Sequence, residues 1–153
     1  MRQLLFAMHF RKIAVVYIVS AIFLFNFIAC AGVPISYYDS TTYTQLTSLK
    51  AEITTLVESF DTKSYAENEK KIDEITLNFK KAYEYEKGKG DPNSDTTKQF
   101  DKIYGLFKDD VKDYKESSPG ELGIKYFQEA AKTLGQAFDI AISTENLKNK
   151  DKR

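Results

Sequence analysis

The chain has 153 residues, with 22 basic and 22 acidic side chains in balance, one cysteine and one histidine. This length suits a single domain with one core, the even charge gives no electrostatic reason to bind nucleic acid, which normally meets a basic face, and one cysteine excludes a disulfide within the chain. His9 and Cys30 both fall in the first 30 residues, so the remainder has neither imidazole nor thiol for metal ligation, acid–base work near neutral pH or nucleophilic catalysis.

Residues 1–29 differ sharply from the rest. Arg2, Arg11 and Lys12 open the chain without any acid, and Ile13 to Ala29 then runs apolar, with Ser20 and Asn26 as its strongly polar members. That is the pattern of an export signal. Removing its three basic residues leaves the remainder three charges on the acidic side.

The signal ends in Phe27-Ile28-Ala29-Cys30-Ala31, which resembles the lipobox of bacterial lipoproteins, with Phe27 standing where leucine is usual. The resemblance covers only this N-terminal segment. It implies a diacylglyceryl thioether on Cys30, cleavage just before it and acylation of the freed amine. Membrane attachment is then firm, because each buried methylene contributes roughly 0.8 kcal/mol and two or more chains act together. Ala31, not being aspartate, permits release to the outer membrane in bacteria with two membranes on this resemblance. Two other readings stay open. Ala29-Cys30-Ala31 also fits a general signal peptidase site, and Ile13 to Ile35 approaches the roughly 20 apolar residues that span a bilayer, its basic flank cytoplasmic. All three readings place the remaining chain outside the cytoplasm.

Residues 30–39 carry Pro34 and a Tyr37-Tyr38 pair without periodicity and read as a tether. Asp39 or Ser40 then caps a helix from Thr41 to Phe60, about 30 Å long. Its stripe is Tyr43, Leu46, Leu49, Ile53, Leu56, Val57 and Phe60. Ser64-Tyr65-Ala66-Glu67 is a capping box that opens a second helix. Its stripe is Ile72, Ile75, Phe79, Ala82 and Tyr83, with Glu67–Lys71 and Lys80–Glu84 as charge pairs.

Gly88-Lys89-Gly90-Asp91-Pro92-Asn93 forces a turn. Ser94 or Asp95 caps the third helix, which carries Phe100, Ile103, Tyr104, Phe107, Val111 and Tyr114. Ser118, Pro119 and Glu121 form the start signal of a fourth. This last helix has the broadest apolar face: Leu122, Tyr126, Phe127, Ala130, Leu134, Ala137, Phe138 and Ala141, widened by Ile124, Ala131 and Ile140. Gly123 and Gly135 inside it point to close approach of a neighbour, with Gly105 as the opposing contact. After Ser143, residues 144–153 read as a charged, flexible tail.

Three motifs invite chemical readings. Asp91-Pro92-Asn93-Ser94-Asp95 resembles the start of a calcium loop, but Thr96 and Lys102 stand where glycine and a bidentate acid belong, so a turn and helix cap account for it. Gly88-Lys89-Gly90 lacks the spacing of a phosphate loop. The carboxylates Asp109, Asp110 and Asp113, and Glu67, Glu69, Asp73 and Glu74, alternate with lysines as solvated helix faces do. Di-iron chemistry needs a Glu-x-x-His pattern that is absent. Tyr37, Tyr38, Tyr65 and Tyr85 lie off the stripes or at helix ends; the tyrosines read mainly as rimming the core with their hydroxyls in water, with a binding surface built partly from these four as the alternative.

The expected fold is all-α, an antiparallel up-down four-helix bundle over residues 40–143, with a three-helix core and one splayed helix as its alternative. The expected role is a non-enzymatic binding or structural module without cofactor. Cys30 anchors it to the membrane, and its partner is another envelope protein. The alternative is a carrier or sensor of an apolar ligand held between the helices.

Overall fold

The structure, a computed structural model, describes residues 36–117, 121–123 and 125–148, all within one compact unit. The export segment, Cys30, Pro34, the Ser118-Pro119-Gly120 start signal, Ile124 and residues 149–153 lie outside the described residues. Four helices form: α1 (Ser40–Glu58), α2 (Tyr65–Gly88), α3 (Ser94–Glu116) and α4 (Tyr126–Leu147). Short 3-10 turns, Ser59–Asp61 and Asp91–Asn93, close α1 and open α3. None of the described residues is in a strand.

A single rhythm explains the packing. Buried positions recur as 42, 46, 49, 53, 56 and 60 on α1 and its closing turn, and as 68, 72, 75, 79, 82 and 86 on α2. On α4 they are 127, 131, 134, 138, 141, 145 and 148, and α3 follows with 96, 100, 103, 107 and 114. Alternating steps of four and three average 3.5 residues, the period that keeps one seam of each helix turned inward along a bundle. Helix α1 packs on α2 and α4, and α3 on the same two. The helices therefore sit in a ring in chain order, each antiparallel to the next, as the up-down bundle requires.

Aromatic side chains fill the seam. Phe79 meets Phe100 edge-on at 5.6 Å and stacks on Tyr104 at 5.1 Å. Phe60 stacks on Tyr114 at 3.8 Å and receives Phe127 edge-on at 5.3 Å. The Tyr114 hydroxyl donates to the Lys63 carbonyl at 2.7 Å and accepts from the buried Asn68 amide at 3.0 Å.

Helix starts follow their chemistry. The Asp39 carboxylate caps α1 by accepting from the Thr41 N–H at 2.8 Å. Ser64 gives its N–H and hydroxyl to Glu67 at 2.8 and 2.6 Å, which lowers the pKa of that carboxyl. Because Glu67 is occupied, Lys71 pairs with Glu74 at 3.3 Å instead.

Four expectations need correction. Helix α4 begins at Tyr126, and Glu121 to Gly123 form a turn in which Gly123 takes φ +90°, a conformation that favours glycine. Leu122 is accordingly exposed, not in the helical stripe. The contact of Gly135 is α1, with Thr54 and Lys50 beside it, whereas nothing lies close to Gly105. Helix α4 also continues to Leu147, with Glu145 and Lys148 buried, so residues 144–148 belong to the bundle.

Candidate functional site

The in-phase positions turn polar at one end of the bundle: Thr42 at the start of α1, Glu86 at the end of α2, Asn93 and Thr96 before and within the start of α3, Glu145 and Lys148 at the end of α4. Thr42, Glu86, Thr96 and Glu145 each lie one step of four beyond an apolar residue, so helix periodicity carries them inward whatever their charge, and Asn93 and Lys148 adjoin them just outside the α-helices. Glu86 and Glu145 have no exposed surface. Such carboxylates persist only with opposite charge and a full set of donors.

Both conditions are met. The Glu86 carboxylate accepts from the Thr42 hydroxyl at 2.6 Å, the Asn93 amide at 2.8 Å and the Lys89 ammonium at 3.0 Å. Glu145 accepts from the Lys148 ammonium at 2.6 Å and from the Asp39 N–H at 2.7 Å. Asn93 Oδ1 joins the two halves, accepting from Lys148 Nζ and from the Ser36 hydroxyl, both at 2.9 Å. Asp39 closes the ring through Lys89 at 2.9 Å and the Tyr85 hydroxyl at 2.6 Å. Burial opposes ionisation of Asp39, yet hydrogen bonds from Tyr85, Lys89 and Thr41, with the Lys89 charge, outweigh it and hold the carboxyl far below its usual range. Burial likewise opposes the Lys89 charge, and Asp39 and Glu86 overcome it and raise its pKa.

This cluster is a joint. The segment Ser36–Asp39, expected as part of a free tether, is fastened at both ends: the Ser36 N–H donates to the Pro92 carbonyl at 3.0 Å and the Asp39 N–H to Glu145. Every acceptor named here is occupied.

The calcium-like loop is drawn into the same joint. Asn93 points inward to Glu86 and Lys148, while Asp95 pairs outward with Lys98 at 3.2 Å, so the loop's oxygens do not converge. Asp109, Asp110 and Asp113 stay together on α3. Burial, then the charges of Asp113 and Asp109, pushes the Asp110 carboxyl up to about 6. The singled-out tyrosines divide between the two ends: Tyr85 and the Tyr38–Tyr43 pair lie at the joint end, and Tyr65 packs on Tyr114 at the other. Among the described residues no helix is long and apolar enough to cross a membrane.

Several spaces lie away from the joint among the described residues. Phe60, Tyr65, Tyr114 and Phe127 bound a pocket of about 70 Å³, far smaller than the roughly 300–1,000 Å³ of small-molecule sites. A shallow groove of about 490 Å³ runs between α3 and α4, lined by Leu106, Asp110, Leu122, Tyr126, Ala130 and Leu134.

The joint draws on residues that hydrophobic patterning leaves in a tether, a turn, a tail and the polar ends of helices. The signal was present in Glu86 and Glu145, each four residues past a stripe alanine, Ala82 and Ala141. No known protein family, curated protein or solved structure matches the chain.

Proposed function

We propose that this chain is a lipid-anchored, extracytoplasmic helical bundle that serves as a non-enzymatic binding or structural module of the bacterial envelope. Cys30 carries the fatty chains and the bundle engages another envelope protein. The observation that carries this reading is the joint. It secures Ser36 and Asp39 to the ends of α2 and α4 and to the start of α3, only six residues beyond the cysteine. Six extended residues reach at most about 20 Å. A domain so secured stands next to its anchoring membrane with its joint end inward and its opposite end and helix faces available to a partner.

Intact-mass measurement of the membrane-extracted protein tests the anchor. Chain cleaved before Cys30, with two or three acyl chains on it, is the expected product, and Cys30→Ala moves the protein to the soluble fraction. An unmodified thiol on a membrane-extracted chain overturns the anchoring. In-cell photocrosslinking from the exposed helix faces tests the module: discrete protein adducts support it. A small apolar molecule retained in native mass spectrometry, with no adduct, favours the carrier instead.

A further inference from the structure

We propose that the groove between α3 and α4 docks a basic amphipathic helix of a partner protein. This names the surface and the partner chemistry of the binding module proposed above and rests on that reading, though not on the lipid.

The groove is apolar at its centre and acidic at its edge. Leu106, Leu122 and Tyr126 remain 38%, 41% and 39% exposed around it, over a floor that includes the buried Leu134. Ile140, 62% exposed, continues the line along α4, seven residues past the groove-lining Thr133. Grouped apolar side chains left in water mark interaction surfaces more often than scattered ones do.

Along the α3 edge run Asp109, Asp110 and Asp113, none of which has an ion pair among the described residues. Among the described residues the Asp113 carboxylate accepts a neutral hydroxyl, that of Tyr126 at 2.5 Å. The cation lining the groove is Lys125, on the α4 side, while Lys132 is paired with Glu129 at 3.4 Å. The three aspartates are therefore crowded and without a direct ion pair among the described residues, and their complement is a row of cations beside an apolar strip.

Charge decides between occupants. A second copy docked symmetrically brings one lining lysine, Lys125, to three aspartates and leaves most of their repulsion in place, and an anionic membrane surface adds to it. A lysine- or arginine-bearing partner relieves it. Shape favours a helix: Asp113 faces Tyr126 and Gln99 faces Thr144 at 2.9 Å, so α3 and α4 run side by side and leave a straight trough. A third rod fits such a trough through side chains at i, i+3, i+4 and i+7.

The test uses the full chain in neutral-detergent micelles and a fluorescent peptide of about five helical turns, with leucine at i, i+3, i+4 and i+7 and lysine elsewhere. A peptide with the same leucines and glutamate for lysine is the comparison, and empty micelles are the blank. The lysine peptide is expected to bind saturably and to weaken with salt. It should weaken at least about tenfold with Leu106→Ser and with the nearly isosteric Asp110→Asn, the loss typical of a central contact. Leu77→Ser, on the exposed face of α2, should leave it unchanged, and circular dichroism should show each variant as helical as the parent. Equal binding of the two peptides overturns the proposal. So does undiminished binding by Leu106→Ser and Asp110→Asn, or self-association that Leu106→Ser abolishes. Failure here with crosslinks retained on another face removes the groove and leaves the module standing.

Discussion

Replacing Glu145 with alanine should be among the most destabilising single changes in the bundle, although the residue is charged and near the end of its helix. The side chain is fully buried and neutralises Lys148, itself only 8% exposed. Without it, the ammonium keeps a single neutral acceptor, Asn93 Oδ1 at 2.9 Å, and the Asp39 N–H loses its partner. Breaking one side of a buried pair costs about 3–5 kcal/mol, set against a total of roughly 5–15 kcal/mol for a domain. With a urea slope of about 2 kcal/mol per molar, the unfolding midpoint falls by about 2 M. The double change Glu145→Leu with Lys148→Met removes both charges and leaves mainly the orphaned amide, so its loss should be about 1–3 kcal/mol. Urea unfolding followed by circular dichroism on the parent, Glu145→Leu, Lys148→Met and both together reads the coupling directly. A Glu145→Ala loss below about 1 kcal/mol refutes the account of the joint as a neutralised, desolvated pair. A double variant as weak as the sum of the singles refutes it equally.

Glycine exchanges should split by position. Gly135→Ala adds a methyl at ordinary contact distance, 3.7 Å from Thr54 Cγ2, and should raise stability by about 0.5–1 kcal/mol through helix propensity, whereas Gly123→Ala meets φ +90° and should lower it by about 1 kcal/mol; thermal unfolding distinguishes them. Tyr114→Phe keeps the stack on Phe60 but orphans the Lys63 carbonyl and one Asn68 donor, so urea unfolding should show a loss of about 1–3 kcal/mol. Asp110, raised from 3.8 to about 6, holds a proton in the folded state that the unfolded chain releases, so its contribution to stability falls as pH climbs from about 4 through 6. Asp110→Asn should flatten that part of the stability profile and gain about 1 kcal/mol at neutral pH, after discounting the shift for solvent screening.

The four helices were legible because their apolar residues keep one rhythm, and the Ser64–Glu67 box and the glycine-rich turn mark where it stops. What escaped was the same rhythm carried on by polar residues. Thr42, Glu86, Thr96 and Glu145 stand where the next buried residue is due, yet a reading that follows hydrophobicity ends each stripe one step early. Glu145 and Lys148 then fell into a patternless tail, although each is the long-range partner of the segment Ser36–Asp39 or of Asn93. The start of α4 failed for another reason. Ser118, Pro119 and Glu121 make a well-formed local signal, but Gly123 takes a left-handed conformation and Tyr126 opens the described helix. The groove was partly legible, since Asp109, Asp110 and Asp113 were noticed; that Leu106 and Tyr126 stay wet beside them depends on the packing of α3 against α4.

The joint also determines how the molecule bears mechanical load. Tension applied ahead of Ser36 does not peel α1 away alone, because Asp39 is tied to the far end of α4 and Ser36 to the turn that opens α3. The pull passes into two antiparallel rods at once, along the α1–α4 contact and the Lys50–Asp139 bridge that spans it at 2.5 Å. Loaded together from the same end, the two rods are not drawn past each other, and the ties at that end share the strain. A domain tugged at its root by a moving surface would keep its shape until several of these ties gave way at once.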